Sequence, residues 1–408
     1  MFTMIFRGSF ARLWWSGLIS MTGNGLLSTA LPAQVYLETR SVPAATLMFL
    51  AGTLPRVLLG SLGGVLADRW PRREVLLVCN VLAALALLPL LIGGGDLPPL
   101  WAVLLSSVLL SLVTLPAGPA EGALLPTLVP ESQLARANAL NALNNNLARL
   151  IGPALGGVLL VTLGLRAVVL VDLLTFVVAA LLLLGVPHTP AALGAAQERM
   201  SAAFRAGLQT VREVPALRLL VGLAGLAALG EGIFGTLIAP FVAEVMGGDA
   251  RIYGLLLSAQ AIGGLVGGAL VARFAAHLNP AALFIAGGIG LGLGDLVVFL
   301  LPLLTPAPWP PLLAMALVGV PAASSGAGWM TLVQRLTPEA ALGRVFGLAG
   351  HLMAAGVLLG TGIASLARGP QGILVVICLH GVIQVIVGLA ALRLLKQTRR
   401  EPHLHGSS

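Results

Sequence analysis

The sequence predicts an all-α membrane protein: twelve transmembrane helices in two six-helix halves around a central cavity. Three observations predict it. Hydrophobic residues make up 58% of the chain and charged residues 9%, with a mean hydropathy of +0.99. A soluble domain of this size needs more polar surface than that. Apolar runs long enough to cross a bilayer, about 20 residues each, recur from end to end. Finally, the stretch Gly60-Ser-Leu-Gly-Gly-Val-Leu-Ala-Asp-Arg-Trp-Pro-Arg-Arg73 returns in degenerate form half a chain later. There Gly267 and Gly268 stand for Gly63 and Gly64, Arg273 for Arg69, Phe274 for Trp70, and Ala272 for Asp68.

The spans follow in order. The first half gives 10–37, 44–67, 75–92, 100–118, 139–163 and 167–186; the second gives 217–242, 253–275, 281–304, 310–332, 345–366 and 372–395. The first is too long for a cleaved signal peptide and holds Asn24 and Gln34. The implied domains are an N-terminal half (1–186), a polar linker (187–215), a C-terminal half (216–395) and a tail (396–408). Within the linker, Met200, Phe204, Leu208 and Val211 recur at helical spacing among Arg205, Gln209, Arg212 and Glu213. That pattern predicts an amphipathic helix on the anionic cytoplasmic membrane surface.

The net charge of +8 reports topology, not nucleic-acid binding. An even number of spans puts both termini on one side. Of 23 Lys and Arg residues, 17 fall on that side, Arg69, Arg72, Arg73 and Arg136 among them. Only Arg40, Arg166, Arg251 and Arg368 fall opposite, while Arg56 and Arg149 lie within spans. The positive-inside rule therefore makes both termini cytoplasmic in a multi-pass protein of the cell (inner) membrane. Cys79 and Cys378 are isolated within spans and form neither a disulfide framework nor a metal spacing.

The repeat continues past the opening pattern. Leu128-Val-Pro-Glu131, with Arg136 following, corresponds to Leu336-Thr-Pro-Glu339, with Arg344 following. Two halves with the same internal order are related by an axis along the membrane normal and enclose a cavity between them. On these motifs the chain resembles a major facilitator superfamily transporter over essentially its whole length. The resemblance implies that Gly60, Gly64, Asp68, Arg69, Arg72 and Arg73 form the conformational hinge between the second and third helices. Asp68 would be the hinge acid and the three arginines its partners. Pro71 occupies a place where the family often has glycine.

Arg149-Leu-Ile-Gly-Pro-Ala-Leu-Gly-Gly157 resembles the fifth-helix motif of exporters and drug antiporters in its core of Gly152, Pro153, Gly156 and Gly157. Physics gives that core a function of its own. Proline removes a backbone donor and bends the helix, and the glycines let a neighbouring helix approach closely. Phe10-Ala-Arg-Leu-Trp-Trp15, Ala123-Leu-Leu-Pro-Thr-Leu-Val-Pro130 and Ala137-Asn-Ala-Leu140 resemble the exporter branch containing macrolide efflux proteins and enterobactin exporters. Asn24 follows Gly23 where that branch commonly carries an acid.

Ionisable groups inside spans are costly and therefore functional candidates. Counted from span ends, Arg56, Arg149, Glu231 and Asp295 lie near mid-membrane, Asp172 and His351 nearer the surfaces, and Glu121 at the cytoplasmic edge of the fourth span. In the resembling fold the seventh helix lines the cavity, which makes Glu231, in Gly230-Glu-Gly-Ile-Phe-Gly235, the candidate for substrate or proton. The ninth helix stands outside, so Asp295 is expected to be buried against neighbours. Arg56 and Arg149 are candidates for an anion site. Asn145 belongs to a run of three amides, Asn144 to Asn146, of which at least one should face the cavity or bond across helices.

No catalytic set, phosphate loop, metal spacing or cofactor motif emerges, so the chain reads as neither an enzyme nor an ATP-driven pump. The expected function is secondary export of amphipathic small molecules (multidrug- or macrolide-like) by proton antiport and alternating access, as a monomer. A dedicated siderophore or lysolipid exporter is the alternative, and a non-transporting membrane sensor on the same fold is the alternative from another class. The hinge generates a test. If its charge contacts bias one state by 1–3 kcal/mol, Asp68→Asn slows flux roughly 5–150-fold while folding and substrate affinity change little. Proteoliposome flux beside a thermal melt measures both, and undiminished flux removes the hinge role.

Overall fold

The computed structural model describes residues 8–93, 96–188, 200–274, 278–338 and 341–393; at 61, 62, 64, 65, 68, 135 and 200–206 it describes backbone alone. The chain forms helices α1 (Gly8–Thr39), α2 (Val42–Arg69), α3 (Arg72–Ala86), α4 (Leu100–Val113), α5 (Ala117–Leu124), α6 (Leu134–Leu184) and α7 (Met200–Glu213). These are followed by α8 (Pro215–Glu244), α9 (Ala250–Phe274), α10 (Pro280–Leu300), α11 (Trp309–Leu336), α12 (Leu342–Ala364) and α13 (Gly369–Ala390). Among the described residues there is no strand, as a bilayer requires of any chain that is not a closed barrel.

Among the described residues ten helical segments are long and apolar enough to cross a membrane. One of them, Arg136–Leu184, runs through a kink at Gly164 and supplies two crossings. Helix α1, 32 residues long, is the other addition, less apolar because it carries Asn24, Gln34 and several hydroxyls. Ten plus one plus one gives twelve. Prolines open many of the spans: Pro43 in α2, Pro215 in α8, Pro280 in α10 and Pro370 in α13 sit in the first turn, where no intrahelical N–H is needed. Ser41 and Asn279 add side-chain caps, accepting from Ala44 N at 3.3 Å and Ala281 N at 2.8 Å.

Two departures from the linear pattern matter. The fourth span breaks at Thr114–Pro116, so that α4 and α5 meet at an angle set by a missing proline donor. Leu115 presents its carbonyl there, against Gly63 of α2. The fifth and sixth spans form one element through Gly164, whose φ of 78° and ψ of 170° only glycine adopts readily.

The chain divides into two compact units, Met1–Ala196 with Gly248–Ser258, and Gln197–Gly247 with Ala259–Ser408. In the first unit α1 packs along α6, α3 along the far arm of α6, and α2 along α4. Its core gathers Trp14, Leu124, Leu140 and Leu183. In the second unit α10 packs on α11 and α13, and α8 on α12 and α13. Its core gathers Leu217, Phe284, Val333, Val345 and Val387. The side chains of helix α7 are described from Gly207 onward. There Val211 is buried in this core, and Gly207 abuts the main chain of Arg344 on α12.

Gly164 offers a clean stability test, because nothing lies within 4 Å of an added Cβ and only the backbone conformation is at stake. Gly164→Val lowers stability by about 1–3 kcal/mol, read as a lower melting temperature in detergent. Gly222→Ala, equally open but helical, leaves it unchanged or raised.

Candidate functional site

The charged turn after α2 grips the end of α6. Arg73 Nε donates to the Leu183 carbonyl at 3.0 Å and Arg73 Nη2 to the Leu184 carbonyl at 2.9 Å. Arg12 of α1 donates to the next carbonyl, Gly185. Two guanidinium groups thus cap the C-terminal carbonyls of a long helix, where its dipole favours cations. Arg73 also pairs with Glu74 at 3.3 Å, and Glu74 meets His188 Nδ1 at 2.7 Å. Arg72 is half-buried with its Nε unbonded. The side chains of Asp68 and Gly64 lie outside the described residues, Arg69 is exposed, and Gly60 faces open space. The close contact of this stretch comes instead from Gly63. Its repeat partner Gly267 meets Val320 of α11, with an added Cβ 2.7 Å from its Cα.

Inside the first unit a cavity of about 190 Å³ opens between α1, α3 and α5. Its polar lining is Ser16, Ser20 and Asn24 from α1, Asn80 from α3, Thr114, and Glu121 from α5. Clefts that hold a whole drug-sized ligand run from about 300 to 1,000 Å³, so this one has room for a polar arm of such a molecule. Glu121, expected at the span edge, lines the same cavity as Asn24 and takes a hydrogen bond from Asn141. Of the three amides in α6, Asn144 is buried, donating Nδ2 to the Trp14 carbonyl at 2.7 Å; Asn145 is half-buried and Asn146 exposed. Asp172 is fully buried, with Thr175 as its hydrogen-bond partner and Gly23 alongside.

The Gly-Pro core of α6 has two working faces. Gly152 meets Gly25 of α1, a Cβ on either glycine falling within 2.9 Å of the other's Cα, and Gly156 meets the Leu26 main chain. On the other face Gly157 abuts the Ala250 carbonyl at the start of α9, and the Pro153 carbonyl abuts Gly254. Ser258 Oγ donates to the Leu150 carbonyl at 2.8 Å, closing the same seam. Arg56 and Arg149 are exposed on α2 and α6.

The second unit assembles a different set. Glu231 is exposed on α8, and Gln384 Nε2 of α13 donates to its Oε1 at 3.5 Å. One turn away His380 Nε2 stands 3.0 Å from Asp295 Oδ2 of α10, both residues nearly inaccessible at 2% and 1% exposure. Sequence reasoning missed His380 and Gln384, although a histidine mid-way along the apolar run of α13 meets the same rule that singled out the acids. His351 is exposed, its Nδ1 2.7 Å from its own helix's Gly347 carbonyl. Among the described residues no three His, Cys, Asp or Glu side chains gather to hold a metal ion.

Comparison with known proteins supplies a context for these sites. The family model described as "Transmembrane secretion effector" matches residues 2–403. The enterobactin exporter EntS of Citrobacter koseri is 29% identical over 412 residues, covering 96% of this chain and 93% of its own. That of Escherichia coli O1:K1 is 27% identical over 403 residues, with 96% and 94% covered. Among solved structures, a bacterial homologue of the iron transporter ferroportin, in an inward-facing state, superposes with a TM-score of 0.75 at 19% identity, covering 94% of this chain and 98% of that one. A POT peptide transporter reaches 0.76 at 13%, with 96% and 95% covered. At those identities the likeness is one of fold.

The two faces of the α6 core separate in a mutational test. Gly156→Leu drives a side chain into the α1 main chain and lowers stability by about 1–3 kcal/mol. Gly157→Leu disfavours the contact with the start of α9. Cysteine accessibility from each side of the membrane then reports a population trapped in one orientation, and normal alternation removes Gly157 from the mechanism.

Proposed function

We propose that this chain, which belongs to the transmembrane secretion effector family of the major facilitator superfamily, is a secondary exporter that moves an amphipathic small molecule outward by alternating access. The observation that carries the reading is full-length similarity, across 96% of the chain, to proteins named as exporters. The small polar cavity of the first unit supports it, because hydroxyls, amides and the Glu121 carboxyl there suit a ligand that combines polar groups with an apolar body. Two cargo classes are supported about equally. A multidrug- or macrolide-like substrate fits the fifth-helix motif; a siderophore fits the named substrate of the relatives, with Arg56 and Arg149 as anion-attracting groups. Purified protein in proteoliposomes, assayed with a macrolide and with enterobactin, decides between them, and movement of neither at any gradient refutes export of both.

Protons supply the driving gradient in this reading, with Glu231 the coupling carboxyl. It is an exposed acid midway along a span, where an ionised group is expensive to hold and a neutral one is not. Protonation from outside releases cargo, and deprotonation inside restores binding. Glu231→Gln then abolishes accumulation driven by a proton gradient, at least about tenfold in flux, while downhill exchange continues. Gradient-driven export equal to that of the parent makes Glu231 structural.

A further inference from the structure

We propose that Asp295 and His380 form a buried site for one exchangeable proton, with Glu231 as its exposed port, built within the second unit. The geometry begins with a distance. His380 Nε2 and Asp295 Oδ2 are 3.0 Å apart, so a proton lies between them. The surroundings are dry and aromatic, with Phe234 and Phe299 ring centroids 5.3 and 6.4 Å from the imidazole centroid. If that proton were only the neutral ring's own N–H, the pair would carry a full negative charge at 1–2% exposure. One proton more makes the pair neutral overall, whether it resides on the carboxyl or the ring.

Charge balance singles out the same state. Helix α8 carries Glu231, α10 supplies Asp295, and α13 itself supplies the neutral Gln384 that bonds to Glu231. Helices α11 and α12 carry Arg335 and Arg344 in their terminal turns, and exposed His351 is engaged by its own helix. The buried carboxyl of Asp295 therefore faces the imidazole in hydrocarbon, and one bound proton balances the two.

The site is also open to exchange. Buried Asp295 Oδ1 has no hydrogen-bond partner, so the pair is not locked into a saturated network. Nδ1 points at the main chain of Gly230, where an added Cβ would lie 2.8 Å away, and Glu231 is the next residue. Gln384, one turn from His380, holds the Glu231 carboxyl at 3.5 Å. A proton taken up by the Glu231 carboxylate is passed to the ring at Nδ1, and Nε2 shares its own with Asp295. Glu231 is returned as carboxylate, and no electrons change hands.

The test uses full-length protein in lipid nanodiscs, isotope-labelled on histidine ring nitrogens and aspartate carboxyls, followed by NMR from pH about 5 to 10. His380→Gln and Asp295→Asn assign the two signals. The ring and carboxyl signals are expected to move together at one apparent midpoint, as a shared proton requires, and Glu231→Gln to displace that midpoint by about one pH unit. Signals that stay fixed throughout, or that move at unrelated midpoints, overturn the site; a midpoint indifferent to Glu231→Gln overturns the port. The use of this proton in transport rests on the proton-driven reading above, and the two fail separately. Titration without proton-driven flux sinks that reading and keeps the site, whereas proton-driven flux without titration does the reverse.

Discussion

Close approach of helix backbones at glycine is the constraint from which the rest of this structure follows. Lipid tails are as apolar as leucine, so helices in a bilayer gain little by burying leucine against one another and associate through fit. The chain holds 51 glycines, a density that would weaken helices in water, and part of them serve that fit. Gly25 and Gly152 join α1 to α6. Gly232 and Gly360 join α8 to α12, and Gly287 and Gly328 seat α10 against α11. At each of these an added Cβ would strike main chain, which cannot rotate away.

Glycine has a second consequence: it makes room for the polar groups. The ring nitrogen of His380 faces Gly230, and the carboxyl of Asp172 faces Gly23. Asn144 Nδ2 and Glu121 Oε1 both face Gly17, 3.2 and 3.6 Å from where a Cβ would stand. A methyl group in any of these places would push a polar side chain out of its hydrogen bonds and towards hydrocarbon. Packing and polar chemistry are therefore set by the same positions, which is why the sites sit at helix seams and not on helix faces.

That coupling also explains what was legible in the sequence. Span number and order follow from apolar length alone, and prolines and caps mark the starts. The seams do not follow, because a helix apolar all round has no periodicity to say which side meets protein. Gly60 stands out in the hinge pattern and faces open space, whereas Gly63 makes a contact, since the break at Thr114–Pro116 aims the Leu115 carbonyl at it. The same break turns Glu121 into the cavity. Asp295 was readable as a buried acid, but its partner His380 lies 85 residues away and only tertiary pairing brings them together. The apolar stripe of α7 was visible, but the choice between lipid and protein as its cover was not.

The two halves have kept their contacts and changed their charges. Gly63 presses on the break that follows α4 and Gly267 on α11, the corresponding span of its half, whereas Asp68 and Ala272 at the adjoining turns no longer correspond. The polar interior of the first unit holds amides, hydroxyls and two acids, Glu121 bonded to Asn141 and Asp172 bonded to Thr175. That of the second unit pairs an acid with an imidazole, Asp295 with His380. Packing geometry resists divergence because backbone cannot be displaced cheaply, but a side chain in a glycine-made space can be exchanged for another of similar size. An ionisable cluster is tolerable in a membrane when its members neutralise one another, and an isolated carboxylate is not. In the second unit the buried Asp295 has His380 beside it, an arrangement that meets that condition when the pair holds one proton beyond the neutral ring.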